Sequence, residues 1–149
     1  MTSISSTLVP QSLESTMGSK SPESAIQTSR ILLVDDMPEN LRLLVKMLPR
    51  ELYTLHPATS GISALKFVET TLPDLVLLDV MMPGMDGYEV CRRLKEDERT
   101  RHIPVIFLSA AGAIADKEKG FACGAVDYIT KPFDPIDVMM RMRAHLSRR

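Results

Sequence analysis

The chain has 149 residues, of which 44% are hydrophobic and 25% charged, and its formal net charge is −1. This composition is typical of one globular domain, and the near-neutral charge gives no general attraction to nucleic acid or to an acidic membrane. The apolar runs are shorter than the ~20 residues of a membrane-spanning helix, and the two cysteines stand in no metal-binding or disulfide spacing. We expect a cytoplasmic protein with no direct nucleic acid or membrane contact.

Residues 1–29 differ in composition from the rest of the chain. Thirteen of them are Ser or Thr, and their apolar residues follow no period. Burial could therefore not offset the entropy of ordering this segment. We predict a flexible tail over 1–29 and a folded domain over 30–149, and we leave open that a short helix near Leu8 to Met17 docks onto that domain.

From Arg30 onward, short aliphatic runs alternate with longer stretches of helical spacing. Strand-like runs, three strong and two weak, lie at 31–35, 53–58, 74–79, 105–109 and 125–130. The strong runs are continuously apolar, which is typical of strands that are covered on both faces. A last helix is predicted over about 134–146. Five strand–helix units predict an α/β protein with a doubly wound five-stranded parallel sheet and five helices.

Polar residues stand at the carboxyl ends of the predicted strands. The first strand ends at Asp35 and Asp36, the third at Asp79 and the fourth at Ser109. Lys131 follows the fifth strand. Because ligands of doubly wound sheets bind beyond this edge, we expect the five side chains to form one site.

The chemistry of this predicted site follows from its charge. Two carboxylates ~4 Å apart repel by roughly 4 kcal/mol at an effective dielectric constant of about 20, so three of them require a cation. The candidate ligands are all oxygens, which favours a hard divalent ion such as Mg²⁺. Beside such an ion, Asp79 would attack a phosphoryl group, while Lys131 neutralises its charge and Ser109 donates a hydrogen bond to it. The product would be an aspartyl phosphate.

Each of these residues also has a purely structural interpretation. Asp36 and Asp86 each stand three residues before a glutamate, which is the spacing of a helix capping box. Ser109 could begin a turn, and an isolated Lys131 would be a solvated side chain. We accept the helix cap for Asp86 and prefer a site for the others, because they occur as a set.

Four segments together resemble the receiver domain of response regulators in two-component signal transduction. They are LLVDDMPEN (32–40), LVLLDVMMPGMDGYEVCRRLK (75–95), IPVIFLSA (103–110) and GAVDYITKPF (124–133). The resemblance extends from Arg30 to Leu146 and implies a flavodoxin-like sheet with strand order 2-1-3-4-5. It also implies that a histidine kinase or a histidine phosphotransfer protein donates the phosphoryl group in a reaction that needs Mg²⁺ or Mn²⁺.

The resemblance assigns the metal and phosphoryl site residue by residue. Asp79 would be the phosphoacceptor. Asp36 would be a direct metal ligand, and Asp35 a ligand that often acts through water. Asp79 itself and the backbone carbonyl of Met81 would be the remaining protein ligands of the metal.

The resemblance also implies a switch. Lys131 would pair with the phosphoryl oxygens, and Ser109 would move toward them. Tyr128 would then turn inward behind Ser109. Pro132 matches a position at which the family has a cis peptide bond.

A phosphoryl group adds nearly two negative charges at one point, so the surface formed by about residues 113–146 should change with phosphorylation. We expect this surface to bind a downstream protein or an effector domain of the same protein. A homodimer through it stays open, because Val126 stands where dimerising relatives often carry an acid, although Arg141 matches a position that often pairs across the interface.

Two alternatives stay open beside a free-standing receiver: the receiver part of a longer protein, and a binding module that acts without phosphorylation. A small-substrate enzyme is not expected. Aspartate-nucleophile phosphatases carry a second acid two residues after the nucleophile, and here Met81 stands at that position.

Overall fold

The structure is a computed structural model that describes residues 27–110 and 114–146. Most of the predicted tail, including the segment from Leu8 to Met17, lies outside the described residues. Ser29, the last residue of that prediction, belongs instead to the first strand, where its backbone N–H donates to the Leu52 carbonyl. The folded domain therefore begins at least one residue earlier than the sequence indicated.

Five strands and five helices alternate along the described chain. They are β1 (Ser29–Val34), α1 (Pro38–Met47), β2 (Tyr53–Ala58), α2 (Gly61–Thr70), β3 (Leu75–Asp79), α3 (Gly87–Glu96), β4 (Val105–Ala110), α4 (Ile114–Ala122), β5 (Asp127–Lys131) and α5 (Pro135–Leu146). The strands form one parallel sheet in the order β2-β1-β3-β4-β5. The predicted fold and strand order are confirmed.

Both faces of the central strands are buried, which explains their continuous apolar sequences. In β1, Ile31 and Leu33 belong to the core layer of α1 and α5, while Leu32 and Val34 belong to the layer of α2 and α3. All four side chains are at most 1% exposed. Full burial of each such side chain stabilises the fold by roughly 1.5–3 kcal/mol, so the sheet is a rigid platform for the residues at its edge.

The helix-cap interpretation that we accepted for Asp86 and the one that we did not prefer for Asp36 have different outcomes. At α3, the side chain of Asp86 accepts a hydrogen bond of 2.9 Å from the Glu89 backbone N–H, so the cap on this helix is confirmed. At α1, the N-cap residue is Met37 and makes no side-chain cap. The capping-box interpretation of Asp36 is therefore wrong. No helix in the described ranges is both long enough and apolar enough to cross a membrane.

Candidate functional site

Three aspartates meet at the carboxyl ends of β1 and β3. Asp35 and Asp79 are buried and Asp36 is half-buried. One carboxylate oxygen of each lies within 4.8 Å of the others. The sheet register explains the proximity of Asp35 and Asp79, because Val34 pairs with Leu78 and each of these two residues is followed in the chain by an aspartate. The predicted convergence of these acids is present in the structure.

Lys131 reaches the aspartates from β5. Its Nζ lies 3.0 Å from Asp79 Oδ1 and 3.3 Å from Asp35 Oδ2. Burial alone would lower the pKa of Lys131, but its hydrogen bond to Asp79 and the charges of Asp79 and Asp35 raise that pKa overall. The ammonium group therefore stays charged at neutral pH. The Lys131–Pro132 peptide bond is cis, as the resemblance implied.

A single ammonium group does not balance this site. Burial raises the pKa of Asp79 from 3.8 to about 6. The hydrogen bond from Lys131 opposes this rise, and the charges of Asp35 and Asp36 add to it. A buried carboxyl group with a raised pKa beside two other acids marks the point where a further positive charge would be most stabilising.

Asp35 is oriented by contacts that the sequence analysis missed. Its Oδ1 accepts a 2.9 Å hydrogen bond from the Met37 backbone N–H, and its Oδ2 accepts one of 3.0 Å from Asn40 Nδ2. Asn40 therefore fixes the direction of the Asp35 carboxylate. The available signal was an amide side chain in the first turn of α1, five residues after Asp35.

Gly87 is a second residue that the sequence analysis missed. Its backbone N–H donates to the Val80 carbonyl at 2.9 Å, which brings the start of α3 against the end of β3. A Cβ atom at this position would overlap the backbone carbonyl oxygen of Asp79. A side chain on residue 87 would therefore push α3 away from the aspartate, and the Gly/Pro-rich sequence of the loop was the only hint.

Ser109 lies near the end of β4, directly after Leu108, which pairs with Asp79 across the sheet. The residue is 3% exposed, and Oγ makes no hydrogen bond to any group that the structure describes. A buried hydroxyl group without a partner costs roughly 1–3 kcal/mol. Ser109 Oγ is therefore a hydroxyl donor without a described partner, at the same edge of the sheet as Asp79.

Tyr128 and Met81, the remaining predicted residues, differ in burial. Tyr128 is 5% exposed, and its ring centroid lies 5.6 Å from that of Phe107 and 5.3 Å from that of Phe121. The ring thus occupies an inward position. Met81 lies in the loop after β3, and the residue is 71% exposed.

Comparison with known proteins adds the following matches. Residues 31–143 match the family model described as the response regulator receiver domain. The response regulator PleD of Caulobacter vibrioides is 47% identical over 117 residues, which cover 78% of this chain and 26% of PleD. The DNA-binding dual master transcriptional regulator RpaA of Synechocystis sp. is 45% identical over 119 residues, which cover 80% of this chain and 49% of RpaA.

Solved structures agree with these matches. The signal receiver domain of a signal transduction histidine kinase from Syntrophus aciditrophicus has a TM-score of 0.74 and 37% identity, with coverage of 80% of this chain and 91% of that one. The chain spans about a quarter of the length of PleD and about half that of RpaA.

Proposed function

Because the chain belongs to the response regulator receiver domain family, we propose that it accepts a phosphoryl group on Asp79 from the phosphohistidine of a histidine kinase or a histidine phosphotransfer protein. One observation carries this proposal. Asp79 Oδ1 lies 3.0 Å from Lys131 Nζ, and the Asp79 carboxylate lies beside those of Asp35 and Asp36, the acidic pair that follows β1.

The proposed reaction is a direct transfer. A carboxylate oxygen of Asp79 attacks phosphorus, the phosphorus–nitrogen bond breaks, and the imidazole of the donor leaves. Lys131 holds a positive charge where charge collects on the transferred group, and Ser109 Oγ supplies a hydrogen bond to one of its oxygens. Lys131 is already close to the reacting group, because its Nζ lies 3.0 Å from Asp79 Oδ1.

The donor set fits a hard divalent cation, Mg²⁺ or Mn²⁺. Asp35, Asp36 and Asp79 offer only oxygen atoms, and their summed charge exceeds that of Lys131. We assign these three residues and the Met81 backbone carbonyl as the protein ligands. Asp35 accepts two hydrogen bonds from the protein, which suits a ligand acting through water. When bound, the ion supplies positive charge that lowers the repulsion between the aspartates and the phosphoryl oxygens.

The output surface is proposed to be formed by α4, β5 and α5. Arg141 on this surface already pairs within the chain, at 2.6 Å from Asp127 Oδ1 and 2.9 Å from Asp137 Oδ1. A homodimer that used Arg141 would have to exchange these pairs for equivalent ones across the interface. The surface therefore suits a downstream protein or an effector domain at least as well as a second copy.

The second candidate function is that of a receiver part within a longer protein. The partial coverage of PleD and RpaA favours it. Neither a free-standing receiver nor a receiver within a longer protein would act on a small substrate. We propose that the receiver works in the cytoplasm in both cases. A binding module that acts without phosphorylation is the outcome if Asp79 does not react.

The test is phosphorylation by a small phosphodonor. Purified protein is incubated with acetyl phosphate and Mg²⁺, and intact-protein mass spectrometry is used to look for a phosphate adduct. We expect an adduct on the wild type and on the control Asp97→Asn, which changes an exposed aspartate, but none on Asp79→Asn. An adduct of equal yield on Asp79→Asn would refute the assignment. No adduct on folded wild type would favour the binding module.

A further inference from the structure

Gly120 lies in α4 where this helix passes over the ring of Tyr128. Gly120 is buried, and a Cβ atom built on it would overlap the Tyr128 hydroxyl group. The same Cβ would lie 2.7 Å from Tyr128 Cζ and 2.8 Å from Phe107 Cδ2. Real Cβ atoms do not approach other heavy atoms so closely, so the inward Tyr128 ring and a side chain at position 120 exclude each other.

The backbone gives no other reason for a glycine at this position. Gly84 and Gly124 have φ angles of 76° and 105°, which residues with a side chain rarely adopt. Gly120 is not among the glycines with positive φ and lies inside a helix, where alanine is the better residue. The fold thus accepts a poor helix former at 120, and the close approach of the Tyr128 ring, together with that of Phe107, supplies the reason.

We propose that Gly120 is a positioning residue of the switch: it keeps open the space under α4 that the Tyr128 ring needs in order to lie inward. The inference rests on the proposed function for the statement that Tyr128 takes part in a response to phosphorylation. Its steric part rests on geometry alone. Whatever occupies the aspartate site, an inward ring requires that residue 120 has no side chain.

The space under α4 lies on a path from the aspartate site to the surface. Phe107 stands two residues before Ser109 on β4, and so on the same face of the sheet. Its ring packs against Tyr128, and Tyr128 packs against Phe121, which follows Gly120 on α4 and is 51% exposed. The missing side chain at Gly120 leaves space for the Tyr128 ring, and the ring of Phe121 packs against that of Tyr128. The surface presented by α4 therefore depends on whether Tyr128 is inside.

The experiment measures the exposure of Tyr128 directly. The chain has three tyrosines, so protein labelled with 3-fluorotyrosine should give three ¹⁹F resonances, and Tyr128→Phe identifies the one of interest. The change of each resonance between H₂O and D₂O reports its contact with solvent. Spectra are recorded for wild type, Gly120→Ala and the control Lys117→Ala, which places alanine at an exposed position of the same helix, each with and without acetyl phosphate and Mg²⁺.

We expect a solvent-shielded Tyr128 resonance in wild type and in Lys117→Ala, and a solvent-exposed one in Gly120→Ala. The resonances of Tyr53 and Tyr88 should stay shielded in all three proteins. A Tyr128 resonance that remains shielded in Gly120→Ala, with and without the phosphodonor, would overturn the proposal.

A second pair of variants covers the case in which Gly120→Ala does not fold. In a Tyr128→Ala background the overlap with the tyrosine is gone and only the close contact with Phe107 Cδ2 at 2.8 Å remains, so Gly120→Ala should change the melting temperature there much less. In the background with Tyr128 it should lower that temperature or prevent folding. An equal destabilisation in both backgrounds would refute the steric role.

The failure of this inference and the failure of the proposed function are distinguishable. Gly120 touches none of the aspartates in any described contact, so Gly120→Ala should still form the phosphate adduct on Asp79. If wild type forms no adduct, the proposed function fails, while the comparison of Tyr128 exposure without phosphodonor still decides the role of Gly120.

Discussion

Replacement of Asp79 by asparagine should stabilise the metal-free protein at pH 8. Asp79 is 5% exposed, and burial raises its pKa from 3.8 to about 6. At ~1.4 kcal/mol per pH unit, keeping this group ionised in the folded state costs about 3 kcal/mol of folding free energy. Asparagine has nearly the same shape and no charge, so it avoids that cost.

The sign and the pH window follow from proton linkage. Between the unfolded pKa of 3.8 and the folded pKa of about 6, the folded state binds more protons than the unfolded state. The stability of the wild type therefore falls as pH rises through this window, and the full cost is present above it. We expect Asp79→Asn to be more stable than wild type by about 1–3 kcal/mol at pH 8, and by roughly half as much at pH 5.

Urea denaturation followed by circular dichroism, in the presence of EDTA at both pH values, measures this difference. Glu98→Gln is the matched control, since it removes the same charge from an exposed position and should change stability by less than ~0.5 kcal/mol. Addition of Mg²⁺ should narrow the gap, because only the wild type keeps all three carboxylates. A variant that is no more stable than wild type at pH 8, or a gap that does not shrink at pH 5, would refute the electrostatic account.

Two further predictions concern the metal and the cysteines. Mg²⁺ at ten times its dissociation constant should stabilise wild type by about 1.4 kcal/mol and raise its melting temperature by about 5 °C, and the rise should be smaller for Asp36→Asn; scanning calorimetry that detects no metal-dependent shift would contradict the acidic site. Iodoacetamide at pH 8 should modify Cys123 before Cys91, because Cys91 is buried and burial raises its pKa to about 11. Peptide mapping by mass spectrometry measures both rates, and equal rates would show that the thiol of Cys91 is accessible.

The fold could be predicted well from the sequence, because the pattern that marks its central strands, a short continuous apolar run, is local. Every residue from Leu75 to Leu78 is fully buried, and such runs distinguish double-faced strands without knowledge of their neighbours. Element ends were less accurate. The last strand was predicted over 125–130 but begins at Asp127, because the backbone N–H of Ala125 is used by the Gly120 carbonyl at the end of α4. An apolar residue in such a turn has the same pattern as one in a strand.

The site was predictable as far as it depends on strand ends. Asp35, Asp79 and Lys131 meet because parallel strands bring their carboxyl ends to one edge. Asn40 and Gly87 could not be predicted, since their roles depend on which atom of another element lies beside them. The capping interpretation of Asp36 failed for a related reason. A capping box needs a particular start of the helix, and α1 begins one residue too late for it.

The features that destabilise the unliganded site are the ones that would bind its ligands. Lys131 pairs with two of the three clustered carboxylates, those of Asp35 and Asp79, and the hydroxyl of Ser109 is buried without a partner in the part of the chain that the structure describes. Replacing these groups with apolar ones would remove these penalties, so the fold alone does not account for them. A divalent cation would relieve the repulsion between the acids, and phosphoryl oxygens would accept hydrogen bonds from Lys131 and Ser109. Because the positive charge of the cation would also attract the phosphoryl oxygens, the phosphoryl group should raise the affinity of the site for the cation, and the converse follows by linkage.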